Sequence, residues 1–272
     1  AFEFTDFKDV LSSFGNMFKH LGTITNELDR AGGTFFRDNI YRRLNRAEEK
    51  YLDGFFRVQE KLNDIANSIP GITGGFNQIK QLAFRPGVFT ISYKNPKNQV
   101  STSIDLNTDQ ALRIIALSKN FEQNQKLEAM GIDDKVLKEL NEYVGPELLE
   151  YQNKVVQWLS NEYYNEVNDV YSQINDVNLP YVPNYFPTKT ISTNTKSLAG
   201  MLQDGNFSGV FSAEVSPAFR ERVDFKNPID LDTGGFLTTL NEHTTTMERY
   251  KAFAMPTREL QAIFASPYVK AM

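Results

Sequence analysis

The chain contains no cysteine. A disulfide framework, thiolate metal sites and cysteine nucleophiles are therefore excluded. Histidine is almost as scarce, with His20 and His243 far apart in sequence, so a histidine-rich zinc site is not expected. Basic charge is not in excess either: 29 Lys and Arg stand against 34 Asp and Glu, for a net charge of -5. That argues against a globally basic sleeve for nucleic acid and leaves only a local patch as a route to phosphate. No apolar run reaches the ~18 residues of a membrane span, and no signal peptide is visible. Trp158 is the only tryptophan, and we read it as a core anchor, not a base-stacking platform.

What is present is ordinary globular material. At 272 residues the chain fits one large or two modest domains. It begins at Ala1 and ends at Met272 inside a helical pattern, which suggests a piece of something longer. The most unusual stretch is Leu179–Lys189, LPYVPNYFPTK, with three prolines and three aromatics. Proline removes a donor and pushes its predecessor into extended geometry, so no helix or central strand runs through it. Its rings mark it as a packed strap, not an idle linker.

Before the strap, helical spacing predicts a helix over about Thr5–Arg30 and a longer one over about Thr34–Ser68. The second has the apolar line Phe36, Ile40, Leu44, Ala47, Tyr51, Phe55, Leu62 and Ile65, and Gly54 weakens it as an unbroken rod. Val88–Tyr93 alternates, Asn95–Asn98 is turn chemistry and Val100–Asp105 runs back, so a hairpin is predicted at about 88–105. Asn107 and Gln110 form a variant capping box for a helix running to Gly131. Asp133 caps a short helix, and Pro146 opens a long one reaching about Asn178. After the strap the chain turns irregular, then Asp232 or Thr233 caps a helix from Phe236, and Pro256 starts another.

Candidate chemistry is thin. Arg42, Arg43 and Arg46 form a basic cluster on the second helix, but Glu48 and Glu49 interleave with it, as on a solvated face. Gly71–Gly75 lacks the Gly-Lys-Ser/Thr of a phosphate loop. Glu242, His243 and Glu248 include one histidine where a zincin needs two. Asp224, Asp230 and Asp232 lack the ligand ladder of a calcium loop and are explained by turns and caps. Ser208 lacks the glycine of a nucleophile elbow. Arg220, Arg222, Lys226, Arg249, Lys251 and Arg258 make the later part modestly basic.

The hairpin, the Asn107-Thr-Asp-Gln-Ala-Leu112 helix start, Gly131-Ile-Asp-Asp134, the strap, and Phe236-Leu with His243 and Met247-Glu-Arg-Tyr250 follow in that order. This succession resembles a segment of very large polyvalent proteins of tailed phages and prophages. The resemblance covers about two thirds of the chain, from the hairpin onward. It implies an internal virion protein, packaged in the particle and delivered with the genome into the host cytoplasm. Its partners would be other virion proteins or other segments of the same large chain. It carries over no catalytic, cofactor-binding or metal-binding residue.

The expectation is a mainly α fold: a long-helix bundle with one β-hairpin over 1–178, then the strap and a smaller irregular helical lobe over 179–272. The long helices from about 34 and about 146 are expected to pack side by side. The expected function is a non-enzymatic structural or interaction segment, without cofactor. The alternative is a nucleic-acid-binding accessory module of a virion-packaged polymerase or DNA-transfer protein, contacting phage DNA through Arg42, Arg43 and Arg46.

Overall fold

A computed structural model describes residues 29, 34, 37–95, 100–188, 229, 231 and 234–265. The helix expected over Thr5–Arg30, the turn at 96–99 and most of the segment after the strap lie outside the described residues. The protein is mainly helical, with one two-stranded antiparallel hairpin among the described residues. A π-helical turn, Arg37–Tyr41, leads into α1 (Arg42–Asn67). There follow α2 (Gly75–Ala83), β1 (Phe89–Lys94), β2 (Ser101–Leu106), α3 (Thr108–Ser118), α4 (Phe121–Ala129), α5 (Asp134–Val144) and α6 (Pro146–Trp158). A second π turn, Leu159–Tyr163, joins α6 to α7 (Tyr164–Asn175), and α8 spans Phe236–Ala265. The described residues fall into two compact units. One takes those within Phe55–Ser192 and Val215–Met247; the other takes those within Ala1–Gly54 and Glu248–Met272. The strap thus belongs to the first unit, together with the body that precedes it.

Local signals account for most element ends. Asn107 accepts from the Gln110 backbone N–H while the Gln110 side chain accepts from the Asn107 N–H, closing the capping box of α3. Asp133 accepts from the Val136 N–H at the start of α5. Gly145, at φ 90°, ends α5 and begins α6, and Pro146 follows at the first helical position. In the hairpin Ile91 faces Ile104 across the strands. Ile91 and Tyr93 are buried, while Thr90, Ser92 and Lys94 are exposed. This alternation is what makes one side of a ribbon lie on helices.

Four expectations change. The helix expected from Asn107 to Gly131 is two helices, broken at Lys119–Asn120, because the Asn120 side chain accepts from the Gln123 N–H and caps α4. Residues 75–83, not read as an element, form α2. The long helix from Pro146 contains the π turn and ends at Asn175 with Asp176 left-handed. Pro256 does not start a new helix but lies inside α8. Conversely, Gly54 does not interrupt α1. A β-carbon there would stand 3.0 Å from Glu248 Cδ and closer to a carboxylate oxygen, so the missing side chain is what admits the buried Glu248 to the helix surface.

The first unit has the larger core. Leu106, Leu112, Leu117, Leu127, Leu140, Leu148, Tyr151 and Phe236 are almost completely removed from solvent. The C-terminal part of α1 runs antiparallel to α6 and the following π turn: Lys61 Nζ is 2.7 Å from Glu162 Oε2, and Lys154 Nζ donates to Ser68 O at 3.1 Å. Tyr151 packs against Phe76, with ring centroids 6.2 Å apart, and its hydroxyl makes no hydrogen bond among the described residues. A buried hydroxyl without a partner costs on the order of 1–3 kcal/mol. Tyr151→Phe is therefore expected to leave stability unchanged or raise it by about 1 kcal/mol, read as an upward shift of the urea midpoint.

Candidate functional site

The polar groups that merit scrutiny converge on α3 and the segments docked at its two ends. The helix is buried nearly throughout, and it carries Asp109 and Arg113 four residues apart inside an otherwise apolar stretch. At its N-terminal end, Asp109 Oδ1 accepts from the Leu237 N–H at 2.9 Å, and the Phe236 N–H also bonds the Asp109 carboxyl. Arg113 donates to the Gly234 carbonyl at 3.3 Å. The first N–H groups of a helix have no partner within it, and here a carboxylate 128 residues upstream supplies one. Burial pushes the Asp109 carboxyl up to about 6, against the opposing pull of the two amides and Arg113.

At the other end of α3, Asn120 donates to the Pro183 carbonyl at 3.1 Å, and Asn184 donates to the Lys119 carbonyl at 3.2 Å. Both contacts seat the strap. The Lys119 amine donates to Gln152 Oε1 at 2.6 Å and to Asn153 Oδ1. Burial lowers Lys119 to about 8, since neutral amide carbonyls do not replace the hydration of an ammonium group. Further along, the Tyr185 N–H donates to Ser160 Oγ at 2.9 Å, and the Tyr163 hydroxyl donates to the Thr244 carbonyl at 3.2 Å. Phe186 stacks on Phe236, with centroids 4.6 Å apart and planes 10° from parallel.

His243 is buried, and its ring lies 5.5 Å from that of Tyr185. Glu248, in the other unit, is buried and ion-paired with Lys251 at 2.7 Å. Among the described residues no group of three or more His, Asp or Glu side chains is arranged to hold a metal ion. Trp158 is buried and packs against Tyr163 at 4.8 Å. Arg42 and Arg46 are exposed one turn apart on α1. Arg42 is 3.2 Å from Asp38, and Arg43 pairs with Glu259. Asp224, Asp230, Asp232, Ser208, Arg220, Arg222 and Lys226 lie outside the described residues.

Sequence reading missed Asp109 and Arg113 as a working pair. In sequence Asp109 sits in the first turn of the capping-box helix, where an acidic residue needs no further reason. The available signal was an Asp and an Arg four apart within DQALRIIAL, two charges in a helix apolar on every side. No helix among the described residues is long and apolar enough to cross a membrane. Comparisons with protein-family models, with curated proteins and with solved structures match this chain to none of them.

Proposed function

We propose that this chain is a non-enzymatic structural and interaction segment of an internal virion protein of a tailed phage. One observation carries the structural half of this reading: buried polar side chains reach backbone groups of other elements. Asp109 takes the Leu237 amide, Arg113 the Gly234 carbonyl, Asn120 the Pro183 carbonyl, Ser160 the Tyr185 amide, and Tyr163 supplies its hydroxyl to the Thr244 carbonyl. Such groups lock segments together, whereas an active site directs several side chains at one reacting atom. The virion half rests on the order of sequence motifs from the hairpin to Tyr250. Mass spectrometry of particles purified from the organism that encodes the chain tests it, with peptides from this segment as the expected result. Their absence from particles overturns the location. Stoichiometric binding of a nucleotide or divalent metal in calorimetry overturns the non-enzymatic role.

A second reading, a module that contacts phage DNA, draws on the exposure of Arg42 and Arg46. Against it, Asp38 stands beside Arg42 and Glu259 beside Arg43, so two of the three arginines already face a carboxylate. We expect DNA affinity no tighter than the non-specific range, about 10⁻⁴–10⁻⁶ M at physiological salt. Changing Arg42, Arg43 and Arg46 to Glu should alter it little in fluorescence anisotropy. Tight, salt-dependent binding lost in that variant would favour the DNA module.

A further inference from the structure

We propose that Asp109 and Arg113 form a proton-coupled clasp, which takes up a proton as it holds the N-terminus of α8 against α3. The inference is independent of the virion reading. Its geometric basis is a close approach that leaves the carboxyl no water. Asp109 is 1% exposed and Arg113 2%. Gly235 passes so near that a β-carbon on it would stand 2.7 Å from Asp109 Cβ. The groups that act on the carboxyl are few. From α8 come the Leu237 and Phe236 amides, and from its own helix comes the Arg113 guanidinium. Nearby, Arg85 and Tyr143 reach the adjacent Thr108 hydroxyl, at 3.2 and 3.4 Å.

In the closed clasp, burial outweighs those favourable partners and holds the carboxyl at about 6, against the ordinary 3.8 of a solvated aspartate. The closed form therefore binds the proton more tightly than the open form. Closure gains fully below the solvated value, and that gain is lost as pH rises through about 6. Between pH ~4.5 and ~7.5 the closing equilibrium weakens by about 25-fold. The device is local, since it joins one turn of α3 to the first turn of α8.

The test is hydrogen exchange of the Phe236 and Leu237 amides in the 272-residue chain, corrected for the intrinsic rate, across that pH range. Protection is expected to fall by about 25-fold toward the alkaline end. In Asp109→Asn, an acceptor remains without a titrating proton, so protection at the two amides should be flat with pH. A flat wild-type profile, or a variant that keeps the wild-type slope, overturns the proposal. If the variant does not fold, the carboxyl ¹³C shift of Asp109 in the wild type decides: a midpoint near 6 supports the clasp, and one at the ordinary aspartate value overturns it.

Discussion

Alanine at Gly235 is expected to lower the unfolding free energy by about 3 kcal/mol or more. The added methyl would overlap the Asp109 side chain, whose β-carbon lies 2.7 Å from where it must go. Asp109 has nowhere to retreat, because Ala111, Leu112 and Arg113 around it are buried as well. Either α8 lifts its first turn off α3 and leaves a carboxyl and a guanidinium buried without the backbone they hold, or α3 itself shifts. Urea unfolding followed by the fluorescence of Trp158 measures the loss. The double variant with Asp109→Gly, which removes the β-carbon as well as the carboxyl, separates overlap from any general intolerance of the turn. With the obstructing side chain gone, the alanine at 235 should cost far less, a non-additivity of about 2 kcal/mol. A cost below about 1 kcal/mol for the single change would show that the turn does not press on α3.

Phe236→Ala is expected to cost about 4 kcal/mol. Phe236 is completely buried, and its ring lies flat against Phe186 of the strap. Truncation removes a large apolar surface and leaves a cavity that two anchored segments cannot close: the strap is tied by Asn120 and Ser160, and the helix start by Asp109. Phe186→Ala should cost a similar amount in the same unfolding measurement. The pair should couple by about 1 kcal/mol beyond burial, the usual worth of a ring–ring contact. Additive losses would show that the two rings do not depend on one another.

The parts of this fold that could be read in advance are those set within a few residues. Asn107 with Gln110, Asp133 with Val136, and Gly145 before Pro146 act on their own helix ends. The alternation of Ile91 and Tyr93 with Thr90 and Ser92 acts on its own ribbon. The prolines of the strap forbid helix wherever the chain is placed. Misreadings arose where a local rule had a competitor. Lys119–Asn120 has neither glycine nor proline, yet Asn120 caps a new helix there. Pro256 matches the signal for a helix start, but it sits within one continuous helix. The π turn at Leu159–Tyr163 shifts the phase along the helix expected from Pro146.

The candidate site was the least legible part, and Asp109 shows why. Its sequence neighbours explain it as a first-turn acid, whereas its partners are amides more than a hundred residues away. The sequence by itself determined the helical class, the hairpin, most caps and the non-helical strap, because those follow from donors, dihedrals and periodicity within one or two turns. Tertiary structure alone decided which charges are buried, why Gly54 and Gly235 lack side chains, and which segments α3 holds. Desolvation and close approach depend on what the rest of the chain brings alongside, and no local pattern encodes that.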